Sequence, residues 1–363
     1  MIGAIVTFED SNSDPSASPF LIAQGTGSEL VTWDVLGKSV FHRFLCNVET
    51  IAQETVVVDD SFAHTSGGSP LASTNARSFN SWEEAAQVLI SKGAQTLLLA
   101  KLNNYIEVDL IDLLQFHRAT TSKLTQVFWN NQALSLVLVQ TSELQTKGTS
   151  IRRQLANIIP LRRRYQFKGY FNPLDDLNDF RQLGKDALSG RCHLRPEGDQ
   201  IASGVWAAPD AFIHPSVMIR GSAYFGAHSV VNARCTVLGT LALEGDCEVD
   251  CGTSLEDCCI TQGTYVGPGL NLRNAIAGSS WLYNVPHRTL VNINDGKLLG
   301  STYAQNLWTR AKSFLSQIPP SGSRSTFFSQ TASLNLPGKK AMAQERAFEN
   351  HFKFESNRGN PSQ

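Results

Sequence analysis

Five cysteines close together form the densest group of potential ligands in this sequence. Cys235, Cys247, Cys251, Cys258 and Cys259 fall within 25 residues, and cysteine thiolates are frequent zinc ligands. Zinc sites, however, use paired Cys-x-x-Cys spacing or histidine partners, and a repeat described below accounts for most of these cysteines. We therefore expect reduced, packed thiols and no metal.

A run of arginines is the second group that could do chemistry. Arg152, Arg153, Arg162, Arg163 and Arg164 follow two β-rich runs, in a stretch that the sequence predicts to be helical. Guanidinium groups bind phosphate, but a basic helix face exposed to water is the more common situation. We interpret these arginines as such a solvated face.

The composition limits the kinds of protein that could carry these groups. The 363 residues include 31 basic and 32 acidic side chains, and 42% of them are hydrophobic. A net charge of −1 gives no electrostatic footprint for nucleic acid or an anionic membrane, and the chain shows neither an apolar run of about 20 residues nor a signal peptide. We expect a cytoplasmic protein of two domains without nucleic-acid or membrane partners.

The first 120 residues alternate β-rich and helical runs, which is typical of an α/β domain. The pattern predicts strands at 2–8, 56–58 and 96–100 and helices over 38–53, over 81–93 and after Asp109. Loops that follow strands at the carboxyl edge of a parallel sheet hold the ligands of such folds. The loop at Asn103 is therefore the predicted place for chemistry.

The most specific pattern in the sequence is a period of six. Apolar residues recur without interruption at positions 207, 213, 219, 225, 231, 237, 243, 249 and 255, and after one shortened step at 260, 266 and 272. A mostly small or apolar residue follows four positions later in each repeat, including Cys235, Cys247 and Cys259. Neither a helix nor a flat sheet requires this period, whereas short strands joined by tight corners into a triangular coil do.

Hexapeptide repeats of this kind predict a parallel β-helix whose coils stack in one dimension. His214 and His228 lie outside both inward-facing sets, so we expect surface histidines rather than catalytic bases. Beyond Gly300 the sequence predicts one amphipathic helix over 302–317 and then a mobile, Ser-rich tail.

Three segments resemble the sugar-1-phosphate nucleotidyltransferases, particularly the mannose-1-phosphate guanylyltransferase and glucose-1-phosphate branch. Residues 110–118, LIDLLQFHR, resemble the helix after the metal-binding loop of the family, and residues 167–180, FKGYFNPLDDLNDF, are similar to its GYWxDIGTPEDY stretch. Residues 255–276 are similar to its β-helix repeats. The resemblance implies a Rossmann-like α/β domain at 1–190, truncated relative to the family, and a left-handed parallel β-helix at 200–300. The composition beyond Gly300 adds a helix and a tail at 301–363.

The resemblance also implies where the reaction of the family would take place. Those enzymes join a nucleotide to a sugar phosphate and release pyrophosphate, using Mg²⁺ on carboxylates and a glycine-rich loop with basic side chains. Here the position of the first metal aspartate falls on Asn103, and that of the second falls on Pro173. The glycine-rich loop either is replaced by residues 9–17 or corresponds to Gly25 and Gly27, followed by Glu29. Both alignments lose the phosphate-binding cation.

We therefore expect a non-catalytic relative, without a cofactor, that binds a sugar nucleotide or pairs with an active nucleotidyltransferase. The candidate binding residues are Gly25, Gly27, Asn103, Asp175 and Asp176.

Two alternatives stay open at the level of sequence. One is an active transferase with an altered metal site, for which Asp59, Asp60, Asp175 and Asp176 are the only carboxylates near the relevant loop ends. For the last two, capping of a helix predicted over 177–188 is the preferred interpretation. The other is a hexapeptide acyltransferase, which normally needs a looping insertion that this repeat lacks.

The ends of a β-helix expose strand edges that must be covered or paired. We expect residues 201–209 to close one end and the segment after Leu282 to close the other. We further expect a homo-oligomer, or a hetero-oligomer with an active nucleotidyltransferase.

Overall fold

A six-stranded mixed sheet organises the first half of the chain. The computed structural model describes residues 1–8, 30–59, 81–144 and 150–303. The strands of this half are β1 (Ile2–Phe8), β2 (Asp34–Val35), β3 (Lys38–Ser39), β4 (Glu54–Asp59), β5 (Thr96–Lys101), β6 (Tyr105–Ile106), β7 (Leu124–Trp129), β8 (Gln132–Gln140), β9 (Arg163–Phe167) and β10 (Phe171–Asn172). The helices are α1 (Val40–Glu49), α2 (Trp82–Ser91), α3 (Leu110–Ala119), α4 (Ile151–Ile158) and α5 (Leu177–Leu188).

The order of the sheet is β4-β1-β5-β8-β7-β9. Strand β1 pairs in parallel with β4 and β5, β8 runs antiparallel to β5 and β7, and β9 pairs in parallel with β7 at the edge. Alternate residues of β1 face opposite layers, since Ala4 and Val6 pack with α1 and α3 while Ile5 packs with α2 and α4. Burial on both faces explains why β1 is almost wholly apolar.

Local signals predicted the helices well, with one error. Ser39, Ser81, Asp109 and Asp176 each accept a backbone N–H as N-caps of α1, α2, α3 and α5. The predicted basic helix is wrong in its second part, because Arg163 begins the edge strand β9 and α4 ends at Ile158. A parallel register with β7 decided this segment, and helix propensity did not.

The second half of the described chain consists of short strands. They are β11 (Asp199–Ala202), β12 (Val205–Ala207), β13 (Phe212–Ile213), β14 (Met218–Phe225), β15 (Val230–Val231), β16 (Thr236–Leu243), β17 (Glu248–Val249), β18 (Ser254–Ile260), β19 (Thr264–Val266), β20 (Asn271–Arg273), β21 (Ala275–Gly278), β22 (Trp281–Asn284), β23 (Thr289–Asn292) and β24 (Leu299–Ser301). Strands β12, β14, β16, β18 and β21 form one parallel series, and β13, β15, β17 and β19 form another.

Parallel pairing in this half recurs at a fixed interval. Met218 pairs with Thr236, and Thr236 pairs with Ser254, so each residue lies beside the one 18 positions further along. Left-handed backbone recurs at the same interval, for example at Asp210, His228 and Asp246. The interval shortens by one between Leu238, opposite Glu256, and Leu241, opposite Cys258. The six-residue period of the sequence is one third of this interval.

Because the pairing interval shortens by one residue, part of the predicted core is wrong. Cys235, Cys247 and Cys258 pack inside the second half with Val231, Val237 and Leu243, whereas Cys259 faces the first half. Ala275, rather than Ile276, is inward for the same reason. All seven cysteines are free thiols, and burial raises the pKa of Cys247 to about 12, so this group stays protonated.

The two halves share one apolar core within the compact unit Met1–Gln305. Tyr224, Ala242, Cys259 and Ile276 form an outward column on the second half and pack in the same cluster as α5. Antiparallel strands lie at both ends of the parallel series, β11 beside β12 and β22 beside β21. The predicted end segments, 201–209 and the residues after Leu282, match these strands only in part, because β12 itself belongs to the parallel series. The helix predicted over 302–317 lies outside the described residues from position 304 onward, and so does the tail. None of the described helices has both the length and the apolar composition needed to span a bilayer.

Candidate functional site

A short antiparallel ladder joins the two segments that carry the predicted site. Asn172 pairs with Tyr105, and Phe171 pairs with Ile106. Because β6 and β10 run in opposite directions, the residues before Tyr105 lie beside those after Asn172. Asn103 and Pro173 therefore occupy adjacent chain segments just beyond the carboxyl end of β5.

Aromatic contacts hold this ladder against the sheet. The ring of Trp129, at the end of β7, stacks on Phe171 with centroids 4.5 Å apart, and Tyr105 lies 6.0 Å from Tyr170. Such pairs stabilise beyond their buried area. The ladder is thus fixed to the carboxyl end of the sheet.

Asn103 itself is exposed, and its side chain carries no charge. Its Oδ1 accepts a hydrogen bond of 2.8 Å from Asn104 Nδ2. Leu102, just before it, donates its N–H to the carbonyl of Thr7 at 2.8 Å, which ties this loop to the end of β1. The loop can offer amide oxygens to a ligand but no carboxylate at this position.

Asp175 and Asp176 serve the start of α5. Asp176 Oδ1 accepts the N–H of Asp179 at 2.8 Å, and Asp179 Oδ2 accepts the N–H of Asp175 at 3.1 Å. This reciprocal arrangement satisfies donors that a helix start would leave unpaired. Burial, followed by the charge of Asp176, raises the pKa of Asp179. The capping interpretation is confirmed for Asp176.

A cavity of about 160 Å³ lies between α1 and the segment after β5. Its polar lining residues are Arg43, Asn47, Asn104, Tyr105 and Glu107, and its apolar ones are Val40, Phe44, Leu102 and Ile106.

The charged groups of this first cavity are already engaged. Arg43 donates to the carbonyl oxygens of Val35, Leu36, Lys38 and Arg195. Burial, the charge of Glu107 and the 3.0 Å hydrogen bond to that carboxylate raise the pKa of Tyr105. The amide groups of Asn47 and Asn104 allow the cavity to bind a small polar group by hydrogen bonds.

Glu107 also connects this cavity to the loop that follows α5. Its Oε2 lies 2.7 Å from Nδ1 of the exposed His193, and its Oε1 accepts the main-chain N–H of the same residue. The carboxylate is therefore held from both sides, by Tyr105 and by His193.

A second cavity, of about 270 Å³, lies on the opposite face of the sheet. It is lined near the carboxyl ends of β1 and β5 by Thr7, Ala100 and Lys101, and its walls include Trp82 and Ser135. The remaining lining residues, Ile5, Leu99, Val137 and Leu155, are apolar. An apolar floor with one indole and one ammonium suits a planar group that carries negative charge.

The structure brings together only some of the predicted site residues. Asn103 and Asp175 lie on neighbouring segments, whereas Gly25, Gly27 and Asp60 lie outside the described residues, and only the backbone of Asp59 is described. Trp82, at the start of α2, packs against the core on this face of the sheet and also lines the second cavity. Its position directly after the N-cap Ser81, at the end of α2 nearest the carboxyl ends of the strands, is the sequence signal that could have predicted this role.

No group of three or more His, Cys, Asp or Glu residues within the described ranges is arranged to hold a metal ion. No family model matches the chain, and no curated protein matches it. Its function must be argued from the geometry above and from the motifs of the sequence.

Proposed function

We propose that this chain is a non-catalytic relative of the sugar-1-phosphate nucleotidyltransferases that binds a sugar nucleotide at the carboxyl edge of the six-stranded sheet. The observation that carries the proposal is the β6–β10 ladder. It joins the two segments that, by resemblance, would supply the metal carboxylates of the family, and these positions hold an amide, Asn103, and an imino acid, Pro173.

The loss of charge at these positions is the reason for proposing binding without transfer. Nucleotidyl transfer depends on neutralising the charge that develops on the phosphates, which Mg²⁺ and basic side chains normally do. An asparagine oxygen brings no charge to Mg²⁺, and proline has no side-chain ligand. Asp176 does not replace them, because it caps α5.

The second cavity supplies the binding energy in this proposal. The base packs against the Trp82 indole, which already has the Arg152 guanidinium 5.8 Å from its ring centroid, and Lys101 and Thr7, at the ends of β5 and β1, interact with the phosphates. Asn103 and Asn104, which follow Lys101 just beyond the end of β5, offer their amide groups to the hydroxyl groups of the sugar.

We also propose that the second half is a left-handed parallel β-helix. The 18-residue pairing interval and the recurrence of left-handed backbone support this proposal. In this proposal it assembles the chain as a homo-oligomer or with an active nucleotidyltransferase. Sedimentation of the chain, alone and mixed with such an enzyme, tests the assembly: a strict monomer that leaves the kinetics of that enzyme unchanged would refute it.

Calorimetric titration with GDP-mannose and UDP-glucose, in Mg²⁺ and in EDTA, tests the binding. We expect one of them to bind with an affinity that does not depend on Mg²⁺. Trp82→Ala should abolish this binding, while Trp82→Phe, which keeps an aromatic face, should retain most of it.

The absence of transfer needs a separate assay. Pyrophosphate release from GTP with mannose-1-phosphate, and from UTP with glucose-1-phosphate, should stay at background in Mg²⁺. Turnover that EDTA abolishes would reject the non-catalytic assignment, and failure of both sugar nucleotides to bind would reject the binding function.

A further inference from the structure

Strand β9 forms one of the two edges of the six-stranded sheet and has a free side among the described residues. Strand β9 pairs with β7 from Thr125 opposite Arg163 to Trp129 opposite Phe167, and no other strand among the described residues pairs with β9. Backbone N–H and C=O groups along the outer side of β9 are therefore available to a further strand.

Three arginines mark this edge. Arg163 and Arg164 are exposed, and the guanidinium groups of Arg162 and Arg164 lie 5.7 and 5.0 Å from the ring centroid of Phe128. None of the three forms an ion pair with a described carboxylate. The Phe128 ring thus positions two charges without neutralising them.

Exposed apolar side chains adjoin the arginines. Leu161 is 69% exposed and Ile159 is 43% exposed. They lie two and four residues before the first residue of β9, Arg163. Charge alone would protect an open edge from aggregation, but protection gives no reason for an exposed leucine beside it. Together, an open edge, unpaired cations and apolar side chains have the composition of a binding surface.

We propose that the outer edge of β9 binds an extended, acidic segment of a partner protein, which adds to the sheet as a seventh strand. The open backbone requires a polypeptide, because a lipid surface has no matching row of N–H and C=O groups. A second copy of β9 is a poorer match, because residues 161–168 contain no carboxylate that could pair with Arg163 and Arg164. Carboxylates opposite Arg163 and Arg164 and an aliphatic side chain over Leu161 complete the match.

Fluorescence anisotropy with a labelled acidic peptide tests this surface. The probe is an eight-residue peptide, Thr-Val-Glu-Glu-Glu-Tyr-Thr-Val, and the control is the same peptide with alternate amide nitrogens methylated. Methylation keeps the charge but removes the hydrogen bonds of a strand, so we expect it to weaken binding at least about tenfold. The charge reversals Arg163→Glu and Arg164→Glu should weaken binding by about tenfold or more, while Arg220→Glu, an equal change on β14, should not.

Hydrogen exchange supplies a second measurement in the unmodified chain. Peptide binding should slow exchange at amides of β9 and leave β4, the opposite edge, unchanged. Equal binding of the methylated peptide would show attraction by charge alone and overturn the proposal. So would binding of the chain to phosphatidylglycerol vesicles, sensitive to Arg163→Glu, without binding of the peptide.

Discussion

Arg181 donates two hydrogen bonds, from Nε at 3.1 Å and Nη2 at 2.8 Å, to the main-chain carbonyl oxygen of Asp257. Lys185, one turn further along α5, lies 3.4 Å from Asp257 Oδ1. Asp257 has left-handed backbone and lies where the pairing interval shortens by one residue. Helix α5 therefore contacts the second half of the molecule at the turn where the pairing interval shortens.

Loss of this contact should destabilise the chain. Arg181→Ala removes two charge-assisted hydrogen bonds from a half-buried carbonyl, so the free energy of unfolding should fall by about 1–3 kcal/mol. Arg273→Ala is a matched control, because Arg273 pairs with Glu256 at the surface, with side chains 63% and 35% exposed, and its loss should cost under about 1 kcal/mol. Urea denaturation measures both, and equal effects would contradict the role of Arg181.

Glu244 should make stability depend on pH. Its carboxyl is fully buried and accepts the N–H groups of Leu36 and Gly37 at 2.8 and 2.9 Å. Burial raises its pKa from 4.5 to about 8, although those two donors act in the opposite direction. Asp34 and Arg43 lie near it, and their charges have opposing effects.

The stability of the folded chain should decrease with pH because Glu244 stays protonated in the fold. Between pH 4.5 and 8 the folded chain keeps a proton on Glu244 that the unfolded chain has lost, so stability falls as pH rises through this range. Above the folded pKa this contribution to stability is gone. The side chain of the Glu244→Gln variant does not titrate. The free energy of unfolding of wild type, minus that of this variant, should therefore fall from pH 5 to pH 8. A pH-independent difference in urea denaturation would contradict this prediction.

Two glycines with left-handed backbone should differ sharply in tolerance. A Cβ on Gly221 would lie 1.9 Å from the carbonyl oxygen of Gly239, whereas a Cβ on Gly252 would meet nothing within 4 Å. Gly252→Ala should therefore cost only about 1 kcal/mol of backbone strain. Gly221→Ala should cost several kcal/mol or prevent folding. Similar melting temperatures for the two variants would refute this packing.

Neighbouring valines of β15 test which side of the strand faces inward. Val231 is 1% exposed, and Val230, with its side chain on the opposite face, is half-buried. Val231→Asp would bury an unpaired carboxylate and should cost several kcal/mol. Val230→Asp should cost about 1 kcal/mol or less. A Val231→Asp variant that melts like wild type would defeat the assignment of the inward residues.

Asp176 should affect stability but not ligand binding. Asp176→Ala loses the cap of α5 and should cost about 1 kcal/mol, while Asp176→Asn keeps a capping oxygen and should cost less. Both variants should bind the same sugar nucleotide as wild type. Their affinities for it should lie within about twofold of the wild-type affinity. A tenfold loss of affinity in both variants would identify Asp176 as a binding residue instead.

Local signals in the sequence were sufficient to predict most helices and the repeat of short strands. Caps at Ser81 and Asp176 and the apolar spacing of α3 predicted helices because those signals act within one or two turns. The six-residue period likewise predicted repeating short strands, and even the position of the shortened step, since periodicity is a property of neighbouring residues.

How these helices and strands pack against one another depends on contacts between distant residues. A one-residue change of register moves side chains to the opposite face, which put Cys258 rather than Cys259 inside. The pairing of Arg163 with Thr125 made a strand of a segment predicted as helix. Asn103 and Pro173 came together through a ladder between distant segments, and Glu244 met Leu36 across 208 positions. No local pattern specifies such contacts, because they depend on the packing free energy of the whole core.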